Sequence, residues 1–503
     1  MTAKSLLVTI VTLSTLLWVS CKNDSPSPTG AEKDSTAIPV PSDLKLEGGY
    51  PTKETIEKAY DELDYQRAVQ TYIWATPAVE MEVLTEGLSN GLGLSSPNSV
   101  GIFEHFLDAN TILATGNGQS IYSFNNIDLS RTGPVILEIP PAILGFIMTL
   151  WQQPLSDLGP LGPDKAKGGK YLLVPPDYKD PVPTGYFVVR SDTYLINWIV
   201  RGFVKEGKTE PAIRSIHSMR IYRLADKANP PEMNFSDLSG KKAVLIPLGD
   251  NLNGLGYFEK LNRAIQREPI RIQDKQFLGM LATLGIEKGK PFNPDERTKR
   301  ILTRAAETGA ILTATISFDN RYPKKLRWPG YSNWEELLLT EHPNFVNPNY
   351  EELDSRAALY YQAAGASNSI FLDVIGAGSK YAGAFRDKDG NWLQGAGNYK
   401  LTIPANPPVK DFWSVTVYDA ETRSMIANDQ KLSGRDSYQN LKKNPDNSID
   451  LYFAPTAPPG NESNWVQTIP GKGFFLYFRW YGPLQPYFDK SWKLPDVERS
   501  GNR

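Results

Sequence analysis

The chain has 503 residues, enough for two or three domains each with its own core. Lys+Arg 54 against Asp+Glu 56 leaves a formal net charge of -2, and no segment gathers the basic residues of a nucleic-acid surface, which argues against such a partner. Cys21 is the sole cysteine, so the sequence after it has no thiol for a disulfide, a thiolate nucleophile or a zinc site.

Residues 1–20 read as an export signal: Lys4 is followed by an apolar stretch from Leu6 to Val19 and the small Ser20. A cysteine directly after such a stretch resembles the lipobox of bacterial lipoproteins, although Trp18 stands where that family usually has Leu. The resemblance implies acylation at Cys21, anchorage to a membrane and a place in the bacterial cell envelope. Residues 21–43 are rich in Ser, Pro, Thr and charge, and are expected to form a flexible tether. No later segment reaches the roughly 20 apolar residues of a membrane helix.

A first β-rich domain is expected over residues 44–230, opened by one or two helices between Lys53 and Gly87. There Ile56, Tyr60 and Leu63, then Tyr65, Val69, Tyr72 and Ile73, recur at helical spacing. Strands follow in "GPVILEIP", "KYLLVPPDY" and one long run, "GYFVVRSDTYLINWIVRGFV". Residues 231–365 read as a helical connection. In "FNPDERTKRIL", Asn293 is the expected helix cap and Pro294 the first helical residue; Phe277, Leu278 and Leu281, and then Leu353, Ala357 and Tyr360, mark the buried faces of further helices. Residues 366–503 carry short strands at regular spacing. The fold class expected is α+β, with β-sandwich or jelly-roll-like domains, an N-terminal helical segment and a helical middle region.

Obvious catalytic sets are missing. His105, His217 and His342 lie in separate segments, no GxSxG elbow nominates a serine, and no HExxH supports a zincin. His105 in "FEHFLD" is expected on a helix as a structural histidine. The glycine-rich run from Asp157 to Pro176 fails the phosphate-loop spacing and leads into a strand, so it reads as a structured loop, in which Asp157 and Asp164 could contact a metal or a hydroxylated ligand. "DKDGN", Asp387–Asn391, places its glycine fourth where a calcium loop needs it sixth, and reads as a hairpin turn. No cofactor is evident, and no metal site is expected.

"FWSVTVYDAE" alternates Phe412, Ser414, Thr416 and Tyr418 against Trp413, Val415, Val417 and Asp419. Asp411 and Asp419 share a face but lie about 26 Å apart along a strand, too far for a glycosidase pair. In "GFFLYFRWYGP", Phe474, Leu476, Phe478 and Trp480 form a core face. The other face carries Phe475, Tyr477, Arg479 and Tyr481; it either binds an anion, a planar ligand or a sugar, or holds a buried Arg paired inside the protein.

The run "DGNWLQGAGNYKLTIP…FWSVTVYD…APPGNESNWVQTIPGKGFFLYFRWYGP…WKLPDV" resembles the bacterial domain of unknown function 1214. "YIWATPAVEM", "IDLSRTGPVILEIP" and "GGKYLLVPPDY" resemble its usual partner, the domain of unknown function 1254. The two resemblances span about residues 65–225 and 370–497, and imply two sandwich-like domains with helical additions but no established reaction. Two positions depart. The family's Asn-x-Asp-Thr-x-Tyr motif stands here as "NGQSIY", with Gln119 and Ser120 in the second and third named places, and no acidic residue precedes Trp151.

The expectation is an envelope protein that binds a small polar or saccharide-like ligand in a cleft between β domains. Its candidate residues are Tyr122, Trp151, Asp157, Asp164, Trp413, Tyr477, Arg479 and Tyr481. The rivals are an envelope hydrolase using Asp157, Asp164 or Asp192, and a protein-interaction scaffold. Homo-oligomers are compatible with each.

Overall fold

The computed structural model describes residues 44–94, 96–202, 204, 207–247 and 254–501. The expected signal peptide, Cys21 and the tether lie outside the described residues. The chain divides into two compact units, and the described part of the smaller is residues 44–59. In it, strands Leu46–Glu47 and Tyr50–Pro51 form a hairpin whose turn uses the positive φ of Gly48 and Gly49. The Lys45 N–H donates to Thr55 Oγ1, tying the hairpin to the start of the next helix.

That helix is a single element, Lys53–Glu86. Ile56, Tyr60 and Leu63 of its expected apolar stripe are exposed, and the burial of apolar side chains begins only near Ala68. Pro77 inside the helix brings no N–H of its own to the ladder. Around it, side chains from elsewhere meet the helix carbonyls: Tyr257 Oη donates to Tyr72 O, Arg356 Nη2 to Trp74 O and Gln152 Nε2 to Pro77 O.

The first β region has two sheets. The six-stranded one runs Asn234–Asp237, Ser99–Ile102, Ile121–Asp128, Leu195–Gly202, Ile143–Thr149, Pro154–Leu158. The four-stranded one runs Phe187–Arg190, Gly169–Val174, Val135–Ile139, Arg220–Arg223. Leu137, Tyr171 and Leu173 from one sheet share a core with Ile121, Ile147 and Trp198 from the other. The run expected as one long strand is therefore two strands in different sheets. Ser191 and Thr193 explain the break: Ser191 Oγ accepts the Thr193 N–H, and Thr193 Oγ1 donates to Leu195 O, a local alternative to ladder pairing. The chain also returns to this region after residue 230, through Asn234–Asp237 beside Ser99–Ile102 and Ala243–Val244 beside Thr111–Ile112.

His105 sits in a bend and is exposed, with its N–H donated to Ser239 Oγ; it is neither helical nor a core histidine. On the same segment the Asp108 carboxylate accepts the Asn110 N–H, a local bond that competes with helix.

The middle region contains helices Leu255–Arg267, Lys275–Thr283, Glu296–Phe318 and Leu353–Gln362. The third starts later than expected. Asp295, not Asn293, is its cap: the carboxylate accepts the Thr298 N–H at 2.7 Å, which lowers the Asp295 pKa. Leu281, Ala357 and Tyr360 are buried as expected.

In the C-terminal region a five-stranded sheet runs Glu335–Glu336, Ser379–Ala384, Phe474–Pro483, Val409–Asp419, Gly434–Asp436, its first strand supplied by the helical segment. A four-stranded sheet runs Trp465–Gln467, Ile449–Ala454, Tyr399–Ile403, Glu498–Arg499. Phe474, Leu476, Phe478 and Trp480 share a core with Leu401, Leu451 and Phe453 of that second sheet. Phe475 and Tyr477 on the opposite face join the core built on the long helix. "DKDGN" is a turn, with Gly390 at φ +83 and the Asp387 carboxylate accepting the N–H groups of Asp389 and Asn391. The architecture is mixed α+β with several open sheets, and no closed barrel among the described residues.

Candidate functional site

Period-two alternation on the strand Phe474–Pro483 puts Tyr477, Arg479 and Tyr481 on one face. Register adds their neighbours: Tyr381 is directly opposite Arg479 on one side and Ser414 on the other. The guanidinium lies 5.6 Å from the ring centre of Tyr381 and 5.5 Å from those of Tyr418 and Tyr477. Arg479 is only 3% exposed. It donates from Nη1 to Thr416 Oγ1 at 3.1 Å and from Nη2 to Thr115 O at 2.9 Å, while its Nε and the Ser414 hydroxyl are buried without a partner.

Thr115 belongs to the first β region, and its loop crosses to this sheet under backbone strain. Thr115 has φ +38 and Arg423 φ +56, a rare conformation for non-glycine residues and most of all for a β-branched one. Their backbones are joined, Thr115 N–H donating to Arg423 O. Tyr418 Oη donates to Gly116 O, and Asn117 Nδ2 to Tyr481 Oη at 2.6 Å. This loop carries the "NGQSIY" stretch. At Gln119 an uncharged amide oxygen is buried and unpartnered.

The six-stranded sheet contributes Tyr122 and, opposite it in register, Arg201. Arg201 is partly exposed, lies 5.8 Å from the Tyr122 ring centre and reaches Tyr381. Burial works against the charged form of both arginines. The surrounding phenols, Tyr122, Tyr381 and Tyr481 for Arg201 and Tyr418, Tyr481 and Tyr381 for Arg479, outweigh it and raise both pKa values. Burial likewise raises Tyr418, Tyr477 and Tyr481, so at neutral pH these three phenols are protonated and both guanidiniums charged. Neither arginine has a carboxylate within 4.0 Å among the described residues.

The sequence candidates thus separate. Tyr122, Tyr477, Arg479 and Tyr481 converge. Trp413 points to the other side of its strand, 3% exposed and stacked on Phe478 in the core. Trp151 packs on Trp74 with Arg271 4.8 Å from its ring centre. Asp164 organises its own loop, accepting from the Gly159 N–H and Tyr171 Oη. Asp157 accepts from the N–H and hydroxyl of Ser369; burial, opposed by those bonds, pushes it up to about 6. Asp192 pairs with Arg271. These carboxylates serve separate partners, and among the described residues no group of His, Cys, Asp or Glu is placed to hold a metal ion.

Sequence reasoning missed Arg201, Tyr381, Ser414 and the Thr115 loop. Arg201 had a legible signal: it falls in period two with Asn197 and Ile199, opposite the core residues Ile196, Trp198 and Val200. It also missed a second polar centre. Glu80, one turn beyond Pro77, is 5% exposed and accepts from Gln152 Nε2 at 2.9 Å. Burial, opposed by that bond and by Arg423, pushes its pKa up to about 8. Gln152, at φ +58, also accepts from the Gly365 N–H through Oε1 and from Tyr360 Oη through its carbonyl.

No curated protein matches the chain. Among solved structures it is similar to the VPA0106 protein from Vibrio parahaemolyticus, with a TM-score of 0.53 at 18% identity, covering 87% of this chain and 100% of that one. It is also similar to an uncharacterised protein from Burkholderia cenocepacia, with a TM-score of 0.39 at 13% identity, covering 88% of this chain and 95% of that one. The first likeness shows a shared fold alone. Residues 97–223 match the family model described as protein of unknown function DUF1254, and residues 378–485 match that of DUF1214. The chain therefore carries these two domains of unknown function in that order from N- to C-terminus.

Proposed function

We propose that the protein binds a small anionic or polar ligand, acidic saccharides included, where the Tyr122–Arg201 face meets the Tyr381–Arg479–Tyr481 face. In this reading each pair of sheets forms a sandwich of the jelly-roll kind and the ligand lies between the two regions. Arg479 carries the argument: it is a buried cation with no carboxylate partner among the described residues, its Nε is unsatisfied, and so is the hydroxyl of Ser414, its partner in register on the neighbouring strand. A buried charge of that kind is costly unless something pairs it, and a carboxylate matches the guanidinium fork. The hydrolase reading has no comparable support, since Asp157, Asp164 and Asp192 each serve a different partner.

The reading includes export and acylation at Cys21, which would hold the protein at a membrane of the cell envelope. Cys21→Ser tests that part: the variant should move from the membrane to the soluble fraction. Ligand binding is tested by thermal denaturation of residues 44–503 against organic acids, acidic and neutral sugars and inorganic anions. Saturating an anion site at a hundred times its Kd adds about 2.7 kcal/mol, a readable rise in Tm. Arg479→Gln should abolish the shift; no shift from any anion in the panel would overturn the proposal.

A further inference from the structure

Resting on that reading, we infer that the ligand carries two acidic groups, one seated on Arg479 and Ser414 and the other on Arg201, with its spacer among the tyrosine rings between them. The argument begins from charge. The site brings two guanidiniums from two different sheets into one tyrosine cluster, with no compensating carboxylate within 4.0 Å of either among the described residues. A monoanion bound at Arg479 neutralises one of them and leaves the partly exposed Arg201 free to take a second acidic group.

The two arginines also differ in the way such a ligand needs. Arg479 is held rigidly by Thr416 and Thr115, with its Nε left over, so its end of the site is preorganised and nearly closed. Arg201 is partly exposed and stands opposite Tyr122. That is the arrangement of an inner anchor and an outer clamp. Tyr381 touches both guanidiniums: its ring centre is 5.6 Å from that of Arg479, and its hydroxyl hydrogen-bonds Arg201. The Tyr381 ring suits an apolar or sugar-ring spacer, whereas Tyr481 is stacked on Phe412 at 3.9 Å. Asn117 fixes the Tyr481 hydroxyl.

At Gln119 the chain has an amide whose oxygen is buried without a partner, on the loop that supplies Asn117 and Thr115. An aspartate there would place a fixed negative charge on that loop. With glutamine the loop offers polarity without charge, which leaves both cations for the ligand.

Calorimetric titration of residues 44–503 with succinate, glutarate, adipate and galactarate, beside butyrate and galactonate as matched monoanions, tests the inference. At least one dianion should bind at least tenfold more tightly than its monoanion. Arg201→Gln should reduce that dianion to the affinity of the monoanion, with a fold confirmed by its circular dichroism spectrum. Raised salt should weaken the dianion more steeply than the monoanion. Equal binding of mono- and dianions, lost together in Arg479→Gln, would overturn the two-acid inference while leaving an anion site intact. Heat from none of the anions, with wild-type protein folded, would overturn the binding reading as well. Should Arg479→Gln fail to fold, Ser414→Ala replaces it, and dianion affinity unchanged by Ser414→Ala and Arg201→Gln together would place the ligand elsewhere and sink both.

Discussion

Two buried polar centres handle charge in opposite ways. Around Glu80 the donors and acceptors close on one another: Gln152 bonds Glu80, Pro77 and Gly365, and burial drives the carboxyl toward its neutral form. Around Arg479 and Arg201 the cations stay charged, nitrogen and hydroxyl groups are left over, and one arginine reaches the surface. An acid can shed its charge at neutral pH and a guanidinium cannot. The Glu80 and Gln152 side chains leave no buried polar atom without a partner, whereas Arg479 Nε and the Ser414 hydroxyl have none. That difference is why the proposed binding site lies at the arginines and the proposed joining role falls to Gln152.

The largest effect expected from breaking the closed centre is that of Gln152→Ala. It removes partners from the Gly365 N–H, the Pro77 carbonyl and Glu80 at once, and each buried group left unsatisfied costs about 1–3 kcal/mol. A loss of about 3 kcal/mol or more in denaturant unfolding is expected; a loss under about 1 kcal/mol would mean that the centre is not a closed network.

Glu80→Gln is next. The folded pKa is raised from 4.5 to about 8, so the stability tied to the neutral carboxyl is full below about pH 4.5 and is lost as pH rises through about 8. Glutamine does not titrate. The variant should therefore gain on wild type by on the order of 3 kcal/mol between pH 5 and pH 8, read as the difference of two unfolding curves. A pH-independent difference would show that Glu80 is charged and paired in the folded protein, which erases the contrast with Arg479.

These centres show where the sequence could be read and where it could not. Alternation in "GFFLYFRWYGP" identifies which side of the strand is core and which carries Arg479, because a period of two is a local property. The partners of Arg479 come from Ser414, Tyr381 and Thr115, brought together by strand order and by a loop from the other β region. No local pattern encodes that convergence. Trp413 illustrates the reverse error: a tryptophan among polar neighbours looks like a stacking surface, yet register turns it into the core. Glu80 was hidden inside "TPAVEM", where a carboxylate next to apolar residues reads as one more exposed helix position.

Arg479→Met is expected to change the stability of the ligand-free protein by no more than about 1 kcal/mol. It deprives Thr115 and Thr416 of a donor but also removes an unpaired buried charge, and these effects oppose each other. Breaking a buried, internally paired ion instead costs about 3–5 kcal/mol, so a loss of that size would class Arg479 with the closed centre.

The smallest effect belongs to Arg201→Gln in the absence of ligand. A partly exposed arginine without a carboxylate partner among the described residues gives up little when it is replaced, and a change within about 0.5 kcal/mol is expected. Its near silence is informative only beside its effect on binding. A residue whose removal leaves folding almost untouched and yet costs a dianion tenfold or more acts on the ligand, whereas one that lowers both together holds the two sheets in place. Measuring Tm and Kd on the same Arg201→Gln preparation separates these cases, because a structural contribution must appear in the unliganded protein and a ligand contact cannot.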